Sequence, residues 1–169
     1  MPNDCKPLLY SHYDVTFQEV PGEVSLVFDI TGCPHHCQGC HSQFLWEYTG
    51  SPLLTDMPHL LNKYNGMITC VCFMGGDQNR DELLQACRIV KQAHLKTCLY
   101  SGLTALELFY RLSCASPSFL PEEYFDYIKL GPYVESLGGL SCKSTNQRFY
   151  QLVQGVCSDK THLFQKEYS

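Results

Sequence analysis

The run MITCVCFM (Met67–Met74) is apolar at every position but Thr69, and no other stretch limits the fold as much. A strand that is apolar on both faces must be covered on both, as parallel strands are. The stretches around it alternate in type. EVSLVFDI (Glu23–Ile30) is β-rich, and LLTDMPHLLNKYNG reads as a short helix capped near Thr55 or Asp56 and stopped by Gly66. RDELLQACRIVKQAH gathers Leu83, Leu84, Cys87, Ile89 and Val90 on one broad helical face. KTCLYSG is a strand ending in glycine, LTALELFYRL a helix, and YFDYIKLG another strand ending in glycine; CASPSFLPEE is a loop by composition. Strands alternating with helices predict parallel βαβ units, hence an α/β fold with mostly parallel strands, and 169 residues suit one domain, 1–169.

In such folds function gathers at the carboxyl ends of the strands. The loop CPHHCQGCH (Cys33–His41) follows the first of these strands, Gly75-Gly76-Asp77 the second, Tyr100-Ser101-Gly102 the third and Leu130-Gly131-Pro132 the fourth. These four loops are expected to converge on one rim. The first holds three cysteines, Cys33, Cys37 and Cys40, with Gly39 allowing the backbone to fold tightly. Three thiolates in so short a loop suit a compact metal centre. A cubane iron–sulfur cluster normally takes four cysteines, so a set of three leaves one iron open to an outside ligand, which is how a metal site becomes catalytic. The spacing also admits zinc, with His35, His36 or His41 as a fourth ligand. These histidines are otherwise read as solvated loop residues, and Trp46 and Tyr48 either as a cover over the loop or as ordinary core aromatics.

The chain has eleven cysteines, an odd number that disulfides cannot exhaust, and a reducing compartment keeps them as thiols or gives some a metal. Cys5, Cys87, Cys98, Cys114, Cys142 and Cys157 stand singly and are expected to pack as small buried hydrophobes, as are Cys70 and Cys72 on one face of their strand. The formal net charge of −5, without a basic block, argues against a nucleic-acid surface. No apolar run is long enough to span a bilayer, and MPNDCKPLLYSHYD lacks a signal-peptide core, so a cytoplasmic protein with no membrane partner is expected.

Cys33-X3-Cys37-X2-Cys40 resembles the signature of the radical S-adenosylmethionine (SAM) superfamily, and Gly75-Gly76-Asp77 resembles its Gly-Gly-Glu motif, one methylene shorter in the acid. Three stretches, SLVFDITGCPHHCQGCHS, LYSGLTALEL and DYIKLGPYVESLGGLSCKSTNQRFY, resemble the activating proteins of anaerobic (class III) ribonucleoside-triphosphate reductase, from about Val24 to Tyr150. Ser144-Thr145-Asn146-Gln147-Arg148 is similar to the Ser-Ser-Asn-Gln-Arg element of those activases. The resemblance implies an incomplete βα barrel of the radical SAM type. It implies a [4Fe–4S] cluster on Cys33, Cys37 and Cys40, with SAM against Gly75, Gly76, Asp77 and Ser101. Where those activases often carry an Asp before the glycine of the fourth strand end this chain has Leu130, and Lys129 is expected to make the polar contact there. It implies reductive SAM cleavage, and a glycyl radical installed on the reductase large subunit with electrons from a flavodoxin or ferredoxin. Asn146 and Arg148 either order the rim loop through backbone hydrogen bonds or line the place where the partner's glycine loop enters; the second is expected, because such groups suit polar loop recognition. Two other functions stay open: activation of another glycyl-radical enzyme, of the formate-lyase type, and a non-enzymatic iron–sulfur or zinc-binding module.

Overall fold

The computed structural model describes residues 6–114 and 118–165. Eight strands form one sheet: β1 (Leu9–Thr16), β2 (Ser25–Ile30), β3 (Ser51–Pro52), β4 (Cys70–Met74), β5 (Lys96–Tyr100), β6 (Tyr127–Leu130), β7 (Arg148–Val153) and β8 (Val156–Asp159), in the order β3-β1-β2-β4-β5-β6-β7-β8. Three helices connect the middle strands: α1 (Leu53–Lys63), α2 (Arg80–Gln92) and α3 (Ala105–Ser113). The expected parallel unit is present, since β2, β4, β5 and β6 pair in parallel. The expectation of mostly parallel strands is corrected: four pairs are antiparallel and three parallel, because β1, β3, β7 and β8 extend both edges as hairpin-type additions.

The two edges escaped the sequence reading for local reasons. In β1 the pairing with β2 slips between Tyr10 and His12, and this irregularity breaks the two-residue alternation that would mark a strand. The β7–β8 hairpin turns at Gln154-Gly155, both with positive φ (49° and 75°), a two-residue turn without the usual Asn-Gly signal.

Helix α1 starts earlier than its expected cap, with Pro52 at the N-cap position. Leu53, Met57, Leu60 and Leu61 are buried, so the first turn is recruited by the core rather than by a side-chain cap. Burying each such side chain stabilises the fold by roughly 1.5–3 kcal/mol. Asn79 caps α2 by accepting from Glu82 N at 3.1 Å, and Thr104 forms a capping box with Glu107 at the start of α3.

Alternate residues of the central strands feed two cores. Leu26, Phe28, Val71, Phe73 and Leu99 pack under the helices; Val27, Cys70, Cys72, Cys98, Tyr127 and Phe149 fill the other face. Cys70, Cys72, Cys87 and Cys98 are buried as expected. Cys114 and Cys157 are exposed and Cys142 is half-buried, because they lie at a helix end, on the edge strand and in a loop; Cys5 lies outside the described residues, as do residues 115–117 of the expected CASPSFLPEE loop.

The amino ends of the parallel strands are tied by one buried carboxylate. Glu23 Oε1 accepts from Tyr127 OH at 2.7 Å and from Lys96 Nζ, and Oε2 accepts from Thr69 Oγ1 at 2.6 Å. This lock leaves the opposite, carboxyl ends free to form the site.

Candidate metal and ligand site

The carboxyl ends of β2, β4, β5 and β6 do converge, around a cavity of about 340 Å³. Cys33, Cys37 and Cys40 share its wall with Gly75, Asp77, Ser101 and Lys129. The cysteine loop is shaped by its backbone. Cys33 N donates to Leu45 O at 2.9 Å, Cys40 N to Cys37 O at 3.1 Å, and Gly39 takes φ +72° with Glu135 packed where a Cβ would stand. All three thiols are half-buried and uncrosslinked. Burial pushes the Cys33 thiol above its ordinary value, and the nearby charges of Asp77, Cys37 and Cys40 add to this, against a hydrogen bond from the His35 backbone. Three thiols on one partly dry wall fit an iron–sulfur cluster, one protein ligand short of the usual four. Among the described residues, no three His, Cys, Asp or Glu side chains are drawn together around the position of a single ion. A cluster needs no such convergence, since its own irons and sulfides stand between the thiolates.

Asp77 is buried. Ser101 Oγ donates to its Oδ2, and Arg111 Nη1 lies 3.6 Å from its Oδ1. Lys129 is buried and donates from Nζ to Gly131 O at 2.8 Å. Burial pushes its ammonium down to about 8, against the opposing pull of Cys37, Cys40, Cys33 and Asp77. Gly76 does not line the cavity. It points to the core, where an added Cβ would meet Leu83 and Leu8 at 3.4 and 3.5 Å.

His36 and His41 are exposed, as expected of loop residues, whereas His35 is half-buried. His35 lies on Gly102, its Cδ2 2.6 Å from where a Cβ would be, and its buried Nε2 has no hydrogen-bond partner among the described residues. His36 stacks on Trp46 at 4.7 Å, so that ring does cover the loop from outside, while Tyr48 packs on Gly32 and donates to Pro7 O at 2.6 Å. His41 meets Tyr133 edge-on at 5.4 Å.

Asn146 and Arg148 do not line the cavity; Gln147, between them, does. Asn146 Nδ2 donates to Pro132 O at 3.0 Å, and Arg148 Nη1 donates to Thr145 O at 2.7 Å and Gln147 O at 2.8 Å. Both side chains thus order the rim through backbone carbonyls, while the Arg148 side chain stays 45% exposed. Gln147 was missed by the sequence reading. Its burial alternates with that of its neighbours: Thr145, Gln147 and Phe149 are buried, Asn146 and Arg148 are not.

A family model described as a 4Fe-4S single cluster domain matches residues 20–153, which contain the whole cysteine loop, all four parallel strands and the rim segment. No curated protein and no solved structure matches the chain. Among the described residues no helix is long and apolar enough to cross a membrane.

Proposed function

The chain belongs to the 4Fe-4S single cluster domain family, and from that premise we propose that it is a radical SAM activase that generates a glycyl radical on the large subunit of anaerobic ribonucleoside-triphosphate reductase. The observation that carries the proposal is the shared cavity: among the described residues three cysteines and no fourth line it, facing the glycine- and acid-bearing ends of neighbouring parallel strands. We read the sheet as an incomplete βα barrel, open at its β3 and β8 edges so that a protein loop can approach.

In this reading Cys33, Cys37 and Cys40 ligate three irons of a [4Fe–4S] cluster. When bound and reduced by an external donor, the cluster would supply one-electron reduction of the SAM sulfonium, with methionine as the leaving product and the deoxyadenosyl carbon as the acceptor of a glycine hydrogen. The backbone at Gly75 admits the amino-acid end of SAM. Asp77, oriented by Ser101, accepts from its ammonium. Lys129 adds positive charge to the same wall, and Ile30, Leu45 and Leu140 keep it dry. Arg148 and Asn146 form the rim on the side where the partner's glycine loop approaches. A cytoplasmic flavodoxin or ferredoxin is the proposed electron donor.

The test mixes the anaerobically reconstituted protein with the reductase, SAM and a strong reductant, and follows electron paramagnetic resonance. A glycine-centred doublet on the large subunit is expected. Formation of 5′-deoxyadenosine without that doublet would exclude the reductase as partner and point to another glycyl-radical enzyme. An intact cluster that never cleaves SAM would mark a non-enzymatic iron–sulfur module.

A further inference from the structure

We infer that Lys129 sets the reduction potential of the iron–sulfur group, and that Asn146 and Gln147 hold its ammonium in place. The inference rests on the reading that Cys33, Cys37 and Cys40 carry the cluster. Lys129 is 9% exposed and lies on the wall it shares with these cysteines. Among the described residues no carboxylate pairs with it. Its ammonium is fixed by Gly131 O at 2.8 Å, and Gln147 Nε2 reaches the same carbonyl at 3.4 Å. Asn146 holds the next carbonyl, that of Pro132. Two successive rim side chains therefore clamp two successive carbonyls of the turn that positions the cation. The turn itself requires glycine: Gly131 has φ +101°, and a Cβ there would meet Asn146 O and Gln147 Cα at 3.3 Å.

A buried cation without a carboxylate partner is costly unless negative charge faces it. The charges that act on Lys129 are those of the three cysteines and Asp77. Reduction adds one more negative charge to the cysteine-bound group, and a fixed positive charge in a poorly solvated site favours that more negative state. A lysine that served only the carboxylate of a SAM molecule would leave the potential of the SAM-free cluster unchanged.

The experiment is a reductive titration without SAM, followed by the resonance signal of the reduced cluster, on wild-type, Lys129→Met, Lys129→Arg and Gln147→Leu proteins of known iron and sulfide content. Lys129→Met is expected to shift the midpoint negative by about 59 mV or more, a tenfold fall in the reduced-to-oxidised ratio at a fixed potential. Gln147→Leu should shift it the same way by less, and Lys129→Arg should retain most of the wild-type value. An unshifted midpoint in Lys129→Met overturns the inference. If that variant holds no iron, an unshifted Gln147→Leu overturns it instead. A wild-type protein that takes up no iron and sulfide removes the cluster reading itself, and the metal analysis distinguishes that failure from an unshifted potential.

Discussion

Ser101 Oγ donates a hydrogen bond to Asp77 Oδ2, joining the loops that follow two adjacent parallel strands. The bond orients a carboxylate that is 2% exposed and whose other oxygen lies 3.6 Å from the Arg111 guanidinium. It makes Ser101 a support for Asp77.

Removing the two groups should therefore have different effects. Asp77→Ala should retain iron and weaken SAM binding by about 1.5–3 kcal/mol, the value of a charge-assisted hydrogen bond. Ser101→Ala should leave a buried carboxylate short of a donor and lower unfolding stability by about 1–3 kcal/mol. Urea denaturation and equilibrium SAM binding measure the two effects. Unchanged SAM affinity in Asp77→Ala would mean that Asp77 is not the partner of the ammonium.

Iron content should separate the cavity cysteines from the other cysteines. Purified without oxygen, the protein should hold roughly four irons per chain. Alanine at Cys33, Cys37 or Cys40 should abolish this, whereas alanine at Cys72, Cys98 or Cys142 should not. A colourless protein with one tightly held zinc after anaerobic reconstitution would sink the cluster assignment.

Gly102 and His35 should be energetically coupled. A methyl at Gly102 would stand 2.6 Å from the His35 ring, so Gly102→Ala should cost about 1–3 kcal/mol through overpacking. In the His35→Ala background the same change should cost clearly less. A double-mutant cycle read by thermal or urea unfolding decides the matter, and additive effects would show that the ring simply moves aside.

Acid stability should depend on Glu23. Burial pushes this carboxyl up, but hydrogen bonds from Lys96, Thr69 and Tyr127 outweigh it and leave the group below its ordinary value. A carboxyl with a depressed folded value contributes stability above its unfolded value, and that contribution is lost as pH falls through the folded one. Wild-type Tm should therefore fall more steeply between about pH 5 and pH 3 than that of Glu23→Gln. Parallel Tm curves for the two proteins would refute the assignment.

Much of the site was legible in the sequence because its signals are local. The apolar run at Cys70–Met74, the helical face of Leu83, Leu84, Cys87 and Val90, and the glycines closing each strand predicted β4, α2 and the strand ends. The spacing of Cys33, Cys37 and Cys40 selected the loop that lines the cavity. Burial at Cys114 and Cys157 was mispredicted because a lone cysteine carries no periodic signal of its own; its exposure depends on what the sheet edge and helix end leave uncovered.

By itself, then, the sequence determined the parallel strand unit, the cysteine loop and the acid and glycines that face it, since each depends on neighbours a few residues away. Only the tertiary structure decided the antiparallel edges, the turn of Gly76 into the core, the seating of His35 on Gly102 and the presence of Gln147 rather than Asn146 or Arg148 on the cavity wall. The physical reason is that a shared cavity is fixed by strand order and register. Lys129 and Cys37 are 92 positions apart in the chain, and they share a wall because hydrogen bonding sets β6 beside β5, β5 beside β4 and β4 beside β2.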